Sequence, residues 1–342
     1  MTLAARYAAL VCDLDGVVYR GPQAVPHAVE SLAAAGLPVQ FATNNASRSP
    51  AEVAAHLRDL GLAVDAEAVT TSSQAGAWLL RQRLEEGVRV LAVGGAGVAE
   101  ALQEDGFDVV LPGELGDGAA PPAAVLQGYG RPVTAADLGE AAYAIENGAL
   151  WVATNTDLTL PTDRGVAPGN GAFVAAVRFA VERDPDEVAG KPHPPLYLLC
   201  AQRLGIPVDR VLAIGDRLET DIEGAVATGM DSLQVLTGVH TLADVLRAPA
   251  HRRPTLLAPD LRTLTVDLPV PTIEEGWGSC GARRRRVGTD GWESAGAGTA
   301  VEDLNAMVRA AYAALDTGRL SHDDLDALMD EPSAVLREAR AG

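Results

Sequence analysis

The chain is poor in cysteine, aromatic residues and positive charge. Its 342 residues include three cysteines and 4% aromatic residues, and 27 Lys and Arg stand against 46 Asp and Glu. Three widely spaced cysteines predict neither a disulfide framework nor a metal-binding pair, so we expect a reducing, cytoplasmic setting. A net charge of −19 argues against nucleic acid and anionic membranes as partners. A small phosphorylated substrate stays open, because it needs only one or two local positive groups.

Long apolar runs are also missing. No stretch approaches the roughly 20 residues that a membrane span needs. The first apolar run, residues 7–12, ends too soon at Asp13 to predict a signal peptide. We therefore expect a protein that is neither exported nor bound to a membrane. A hydrophobic content of 48% over 342 residues is ample for a packed core and allows two or three domains.

Short apolar runs alternate with amphipathic stretches along much of the chain. Each run is followed by a polar or glycine turn, and we predict strands at 7–12, 39–42, 88–93, 150–153 and 211–214. Residues 50–60 have helical spacing. Repeated strand, turn and helix predict an α/β fold with parallel sheets. The Gly94–Gly97 segment lacks the third glycine of a dinucleotide-binding fingerprint, so we interpret it as a tight turn.

Two carboxylates, Asp13 and Asp15, follow the first predicted strand. In an open α/β sheet, ligands bind beyond the carboxyl ends of the strands. The chain turns there, so one carboxylate can attack a substrate while the other transfers a proton. An acidic pair in a turn or at a helix cap is the alternative interpretation.

A second acidic group, Asp216 and Asp221, follows the predicted strand 211–214 and is expected at the same crevice. Carboxylates that converge repel one another unless a cation lies among them. Mg²⁺ suits such oxygen ligands. Zinc would need histidine or cysteine ligands, and the six histidines show no ligand spacing.

Thr43 and Asn44 follow a predicted strand and precede a helix, where hydroxyl and backbone N–H groups can face an anion. An ordinary helix cap is the alternative. Lys191 lies between Gly190 and Pro192, which restrict the backbone there. Most lysines are solvated, but this one can balance the carboxylates and bind a phosphoryl oxygen.

Four of these segments, in this order, resemble the motifs of the haloacid dehalogenase superfamily of phosphatases. They are Asp-Leu-Asp-Gly-Val at 13–17, Thr-Asn-Asn at 43–45, Gly-Lys-Pro at 190–192 and Gly-Asp-Arg-Leu-Glu-Thr-Asp at 215–221. The last of them, with residues 154–157 and 168–172, is similar to subfamily IIA, the nitrophenylphosphatase-like group. The resemblance covers about residues 5–265.

The resemblance implies a Rossmann-like parallel-sheet core with an inserted α/β cap. About 30 residues separate Asp13 from Thr43 and nearly 150 separate Thr43 from Lys191, so the insertion lies between the second and third motifs. We expect a catalytic core of residues 1–82 and 187–265, a cap of residues 83–186, and a C-terminal α+β extension of residues 266–342. A cap that roofs the site would exclude water and select the leaving group.

The resemblance also implies the chemistry. Asp13 would attack phosphorus and become an aspartyl phosphate, and Asp15 would protonate the leaving alcohol and then activate water. Mg²⁺ would be held by Asp13, the backbone carbonyl of Asp15, Asp216 and Asp221. Thr43, Asn44 and Lys191 would bind the phosphoryl oxygens. Members that act as dehalogenases lack the second aspartate, so its presence favours phosphoryl transfer.

The substrate is expected to be a small phosphorylated metabolite. In the family a loop, here 157–161, hangs over the pocket, and we expect Asn155, Thr159 and Leu160 to contact the substrate. Packing within the cap is the alternative for these side chains. The high alanine content and long tail make the chain look most like actinobacterial glycerol-3-phosphate phosphatases. Phosphoglycolate, pyridoxal phosphate and nucleoside monophosphates remain alternatives, as do a phosphomutase and a phosphate-ligand sensor with the extension as its output.

The extension carries two predicted helices. Thr299 and Glu302 are spaced as a capping box, and Ser321 with Asp324 begins another helix. Apolar residues at helical spacing follow both, and we expect Pro332 to stop the second helix. The apolar faces must be buried on the core, on a second subunit or on a ligand, so a homo-oligomer through the cap or the extension stays open. The run Arg283–Arg286 is either a solvated surface or a site for a polyanion or partner.

Overall fold

The computed structural model describes residues 1–115, 120–162, 164–288 and 291–341, apart from the side chain of Pro161. The chain divides into two compact units. The first consists of Met1–Val39 and Leu204–Gly342, and the second is Gln40–Arg203.

The strands, numbered in chain order, are β1 (Ala9–Cys12), β2 (Tyr19–Arg20), β3 (Gln23–Ala24), β4 (Val39–Thr43), β5 (Val69–Thr71), β6 (Arg89–Val93), β7 (Asp108–Val110), β8 (Ala124–Gln127), β9 (Leu150–Ala153), β10 (Thr159–Thr162), β11 (Gly165–Pro168), β12 (Glu187–Val188), β13 (Val211–Gly215), β14 (Asp231–Val235), β15 (Leu256–Ala258), β16 (Thr272–Glu274), β17 (Trp277–Cys280), β18 (Arg283–Val287) and β19 (Trp292–Ala295).

The α-helices are α1 (Ala28–Ala35), α2 (Pro50–Asp59), α3 (Ser72–Arg81), α4 (Ala96–Glu104), α5 (Ala135–Glu146), α6 (Asn170–Val181), α7 (Pro194–Leu204), α8 (Glu223–Thr228), α9 (Leu242–Leu246), α10 (Ala300–Asp316), α11 (His322–Ala327) and α12 (Asp330–Ala341). Each predicted strand and helix of the α/β region lies within a residue or two of an observed element. Ser49 and Glu52 form a capping box at α2, which explains why that helix begins at Pro50.

The first unit contains a parallel sheet in the order β15, β14, β13, β1. β1 and β13 are buried along their whole length, which is why both are continuous apolar runs in the sequence. Cys12 pairs with Ile214, so the two strands end side by side. The residues that follow these strands therefore emerge at the same edge of the sheet.

The second unit contains a five-stranded parallel sheet in the order β12, β9, β8, β6, β7. α5 and α6 pack with Trp151 and Val125 in one apolar cluster, while α3 and α4 pack with Val90 and Leu126 in another. β10 and β11 form a separate antiparallel hairpin, and β4 pairs with β5 in parallel. The chain thus has the predicted fold class, a Rossmann-like parallel core with an inserted α/β cap and an α+β extension.

The C-terminal extension is an antiparallel meander, β16 to β19, packed against α10. α10 and the core sheet share an apolar cluster that includes Leu304 and Met307. The side chain of Asn305 pairs with both backbone groups of Leu257 on edge strand β15, at 2.9 and 2.8 Å. The extension is therefore joined to the sheet of the first unit by apolar packing and by hydrogen bonds.

The predicted capping box at Thr299 is present, and the helix predicted to begin at Ser321 is present with a capping box of its own. The expectation for Pro332 was wrong. The helix after Ser321 already ends at Ala327, and Pro332 lies in the first turn of α12. Proline is tolerated there because an N–H in the first turn of a helix has no intrahelical acceptor.

The arginine run forms strand β18, so its side chains alternate between two faces. Arg283 and Arg285 both bind the carboxylate of Asp303 on α10. Arg284 and Arg286 lie over the ring of Trp277, at 5.1 and 4.7 Å from its centroid. The four arginines therefore do not present one positive surface to a polyanion.

The helices and the cysteine thiols of the described residues can be compared with what the sequence predicts. Among the residues that the structure describes, no helix combines the length and the apolar character needed to cross a bilayer. The thiols of Cys12, Cys200 and Cys280 are all buried. Burial raises the pKa of the Cys200 thiol to about 11, so it stays protonated at neutral pH.

Candidate active site

The ends of β1 and β13 deliver two of the predicted carboxylates to one place. Asp13 directly follows β1, and its backbone N–H donates to the carbonyl of Ile214 at 2.9 Å. Asp216 directly follows β13. Because the two strands are adjacent and parallel, the pairing of Cys12 with Ile214 brings both aspartates to the same edge of the sheet.

Three carboxylates form a group that suits a divalent cation. Oxygen atoms of Asp13, Asp216 and Asp221 all lie within 4.8 Å of one another. Two oxygens on opposite sides of a bound Mg²⁺ are about 4.2 Å apart, since each lies about 2.1 Å from the ion. The donor set, three carboxylates within this distance of one another, is therefore of the kind that Mg²⁺ prefers.

The environment of this group is largely closed. Asp216 is 1% exposed and Asp221 is 2% exposed, whereas Asp13 is partly exposed. Like charges in such a place raise the energy of the site strongly unless a cation neutralises them. The more accessible Asp13 is the member of the group that an incoming substrate can reach.

Asp221 also fixes the loop that carries Asp216. Its Oδ2 accepts the backbone N–H groups of Asp216 and Arg217, at 3.2 and 3.0 Å. Asp221 itself lies in a single wide turn of π-helix, Leu218–Ile222. Such turns are rare and are frequent at functional sites. The two aspartates of the fourth motif are therefore held in one rigid loop.

Asp15 lies in the turn after β1. The N–H of Gly16 donates to the carbonyl of Tyr19 at 2.8 Å, which closes this turn. The carboxylate of Asp15, one of the described residues, is exposed and stands outside the group of three. An exposed carboxylate on a turn is suited to exchange protons with water and with small molecules.

In the second unit, Asn44 and Lys191 form a reciprocal pair. The Asn44 Oδ1 accepts the backbone N–H of Lys191 at 2.8 Å, and its Nδ2 donates to the Lys191 carbonyl at 3.0 Å. The same Nδ2 donates to Asp157 at 3.1 Å. The side-chain amide of Asn44 thus fixes the backbone of Lys191. Lys191 is 3% exposed, and Thr43 is 4% exposed.

Asn155 connects two loops of the second unit. Its Nδ2 donates to the carbonyl of Asn44 at 2.8 Å, and its Oδ1 accepts the N–H of Asp157 at 3.2 Å. Asn155 is 4% exposed. Thr159 is exposed and Leu160 is partly buried, both on hairpin β10–β11. Asn155 therefore has a structural role, whereas Thr159 and Leu160 are at least partly accessible to solvent.

The sequence interpretation did not single out the loop after β14. Val239 donates its backbone N–H to Asp216 Oδ2 at 2.7 Å. A Cβ on Gly238 would lie 1.8 Å from the same oxygen, so only glycine fits there. The signal available in the sequence was the Thr-Gly pair at 237–238, which follows the run Leu233–Leu236.

Comparison with known families gives two matches. Residues 10–108 match the haloacid dehalogenase-like hydrolases, and residues 188–264 match a HAD-hydrolase-like family. The two matches include all four motifs and leave out most of the predicted cap and the extension.

Comparison with characterised proteins gives related enzymes. The chain is 45% identical to D-glycerol 3-phosphate phosphatase of Mycobacterium tuberculosis over 81% of this chain and 76% of the relative. It is 34% identical to the acid sugar phosphatase of Staphylococcus aureus over 70% of this chain and 90% of the relative.

Among solved structures, the glycerol phosphate phosphatase of M. tuberculosis in complex with magnesium superposes with a TM-score of 0.82 at 40% identity, covering 99% of this chain and 98% of that one. The p-nitrophenyl phosphatase of Archaeoglobus fulgidus gives 0.68 at 26% identity, covering 75% and 98%. The first of these structures therefore matches the C-terminal extension as well as the rest of the chain.

Proposed function

Because the chain belongs to the haloacid dehalogenase-like hydrolases, we propose that it is a Mg²⁺-dependent phosphatase whose substrate is glycerol 3-phosphate. The observation that carries the proposal is the convergence of the Asp13, Asp216 and Asp221 oxygens beside the ends of two parallel strands. The 45% identity to a D-glycerol 3-phosphate phosphatase supports the choice of substrate.

The reaction follows from the two aspartates of the first motif. The Asp13 carboxylate attacks phosphorus, the bond between phosphorus and the glycerol oxygen breaks, and Asp15 gives that oxygen a proton. Asp15 then takes a proton from the water that attacks the aspartyl phosphate, which releases phosphate and restores Asp13. The ion, when bound, neutralises charge on the carboxylates and on the phosphoryl group. Asp13, the backbone carbonyl of Asp15, Asp216 and Asp221 would hold it.

Following the family motifs, we propose that the phosphoryl oxygens are bound by Thr43, the backbone N–H of Asn44 and Lys191. The reciprocal hydrogen bonds between the Asn44 side chain and the Lys191 backbone support this proposal, because they fix the position of the backbone from which the lysine side chain extends. A fixed cation loses less conformational entropy when it binds an anion.

The proposed leaving group, glycerol, is small and has no aromatic ring, and the sequence of hairpin β10–β11 agrees with such a group. The hairpin sequence, from Thr159 to Pro168, contains no aromatic residue. A pyridoxal ring or a nucleobase gains affinity from stacking on an aromatic side chain, whereas a glycerol group does not need one. We propose Thr159 and Leu160 as contacts of the glycerol group. Asn155 would act indirectly, by holding the loop before the hairpin.

For the division of the chain we propose a catalytic core of residues 1–82 and 187–265, a cap of 83–186 and an extension of 266–342. The cap would select the leaving group, and the core would perform the chemistry. We propose a cytoplasmic location, in keeping with the small number of cysteines.

A substrate panel tests the choice of substrate. We expect kcat/KM with Mg²⁺ to be at least about tenfold higher for glycerol 3-phosphate than for phosphoglycolate, pyridoxal phosphate or AMP, since specificity is a ratio of kcat/KM values. A higher value for another compound would replace the proposed substrate. Absence of metal-dependent phosphate release from every compound, p-nitrophenyl phosphate included, would favour a phosphate-ligand sensor instead.

The role of Asp13 is tested by Asp13→Asn. We expect this variant to release no phosphate from any compound of the panel, because an amide is not a nucleophile for phosphorus. Asp209→Asn is the control, since Asp209 is exposed and lies in the same unit. Turnover by Asp13→Asn at the rate of the unmodified protein would contradict the assignment.

A further inference from the structure

The loop that follows β14, residues 236–240, forms one wall of the carboxylate group. Its Gly238 packs against the Asp216 carboxylate, and its Val239 donates a backbone N–H to Asp216 Oδ2 at 2.7 Å. Thr237 Oγ1 donates to the carbonyl of Gly16 at 2.7 Å. A Cβ on Gly16 would also lie 2.5 Å from Asp216 Oδ2, so Asp216 is confined between two glycines.

His240, the last residue of the 236–240 loop, binds two residues of the fourth motif. Its Nδ1 accepts the backbone N–H of Leu218 at 3.1 Å, and its Nε2 lies 3.2 Å from Glu219 Oε2. Because Nδ1 accepts a hydrogen bond, the ring hydrogen is on Nε2 and is donated to Glu219. The imidazole is 19% exposed. One ring therefore holds two consecutive residues between Asp216 and Asp221.

The bond to Leu218 replaces a missing helix cap. Leu218 begins the wide turn that carries Asp221, and the first N–H groups of any helix lack intrahelical acceptors. The residue before it, Arg217, makes no side-chain capping bond. His240, far away in sequence, supplies the acceptor. The start of the turn thus depends on a side chain from the next βα loop.

Both buried ligand carboxylates depend on where this turn starts. Asp221 lies within it and binds back to the N–H groups of Asp216 and Arg217. The carbonyl of Asp216 accepts Gln234 Nε2 at 2.7 Å and the backbone N–H of His240 at 3.4 Å. A displacement of Leu218 would therefore move Asp221 and, through its bonds, the backbone of Asp216.

We propose that His240 is a positioning residue that sets the affinity of the carboxylate group for its divalent cation. It contacts neither substrate nor ion. It acts by capping the turn at Leu218 and by restraining Glu219, so that Asp216 and Asp221 are arranged before the cation arrives. The proposal rests on the proposed function for the identity of the site as a metal site, but it concerns binding of the ion and not the substrate.

The test is a titration of the full chain with Mn²⁺ without substrate, in which electron paramagnetic resonance measures the unbound ion. We expect His240→Ala to raise the Kd for Mn²⁺ about tenfold, in line with the effect of residues that orient metal ligands. His240→Asn should restore the Kd to within about threefold, because its Oδ1 can occupy the place of Nδ1 and accept from Leu218. His251→Ala is the matched control, since His251 is exposed and lies in the same unit.

Kinetics provides the second readout. In His240→Ala, the Mg²⁺ concentration for half-maximal activity should rise about tenfold, while kcat at saturating Mg²⁺ falls less than about threefold. A merely structural role would lower the melting temperature and leave the Mn²⁺ affinity of the folded fraction unchanged. His240→Phe keeps the ring volume and removes both bonds, so it should reproduce the effect of His240→Ala even if the smaller side chain harms folding.

The outcomes separate this inference from the proposed function. A Kd for Mn²⁺ within about twofold of the unmodified protein in both His240→Ala and His240→Phe would overturn the inference. Weakened Mn²⁺ binding in these variants, together with no turnover of any phosphoester by the unmodified chain, would support the inference and reject the proposed function.

Discussion

Two clusters of charged side chains in the first unit differ in how their charges are combined. Asp13, Asp216 and Asp221 bring like charges within 4.8 Å of one another. At the extension, Arg283 and Arg285 both bind Asp303, and Arg285 also binds Glu331 at 2.5 Å. The first cluster gathers like charges in a group of the kind that binds a divalent cation, whereas the second pairs opposite charges of the chain with one another.

The comparison shows what each cluster does for the protein. Repulsion among like charges lowers stability and creates affinity for a cation. Opposite charges that are buried together hold elements in register, and breaking such a pair leaves an uncompensated charge. Burial opposes ionisation of Asp303, but hydrogen bonds from Arg285 and Arg283 outweigh that effect and keep its pKa below the usual value. The carboxylate group is thus built for binding and the arginine cluster for stability.

The largest expected effect is on activity. Asp216→Asn should reduce kcat/KM by at least about 100-fold, because it removes one charged ligand of the ion. The same change should leave the melting temperature of the metal-free protein unchanged or higher, since it relieves repulsion. Activity assays and thermal unfolding in the presence of a chelator measure both. A large loss of stability in the metal-free protein would contradict the contrast between the clusters.

Asp303→Asn should lower the stability of the protein and leave its activity unchanged. We expect a loss of about 3 kcal/mol in the free energy of unfolding, because Arg285 is left buried without its main partner. Urea unfolding measures this loss, and kcat/KM should be unchanged where the variant is folded. Glu293→Gln is the matched control, because Glu293 binds Arg286 in an exposed pair and should cost at most about 1 kcal/mol.

The stability that Asp303 contributes should depend on pH. Its pKa in the native state lies below the value of about 3.9 in the unfolded chain, so the contribution is present above about pH 4. It is lost as the pH falls through the lower native pKa. Urea unfolding of the unmodified protein and of Asp303→Asn should therefore give a constant difference from pH 7 to 5 and a smaller one below about pH 4. A difference that grows in acid would contradict this account.

Tyr312→Phe should have the smallest effect. The Tyr312 hydroxyl donates to the carbonyl of Val245 at 2.7 Å and joins α10 to α9. Its loss should cost about 1 kcal/mol in urea unfolding, because one buried carbonyl loses its partner while the ring stays packed. Arg253 lies over the same ring, at 4.3 Å from its centroid, and that contact remains. Tyr143→Phe, at an exposed tyrosine, should change nothing measurable.

Much of the α/β region and the family could be predicted from the sequence. The strands before Asp13 and Asp216 are continuous apolar runs that end in carboxylates, and a buried parallel strand leaves that pattern. The resemblance to the haloacid dehalogenase superfamily, the fold class and the phosphatase activity are confirmed. The individual roles of the site residues and the domain boundaries stay predictions.

The strands of the extension were not located from the sequence. Four consecutive arginines hide the alternation of a strand, because the two faces differ in their partners and not in residue type. The signal available in the sequence was Gly276 before β17. In the structure Glu275 and Gly276 both have positive φ angles, which is typical of a tight hairpin turn.

The hydrogen bonds made by the side chains of Asn44, Asn155 and His240 also could not be predicted from the sequence. Each of these side chains binds backbone groups that are distant in sequence, such as Lys191 for Asn44 and Leu218 for His240. No local pattern records a contact of that kind. The four motifs identify the residues of the chemistry, but not the residues that hold them in place.

The most direct test of the central claim is a burst experiment with p-nitrophenyl phosphate and the Asp15→Asn variant. Nitrophenolate leaves without protonation, so Asp13 can still be phosphorylated, while hydrolysis of the aspartyl phosphate lacks its base. We predict a rapid release of about one nitrophenolate per chain, followed by slow turnover, and no burst in the variant that also carries Asp13→Asn. A burst of the same size without the Asp13 carboxylate would contradict the account.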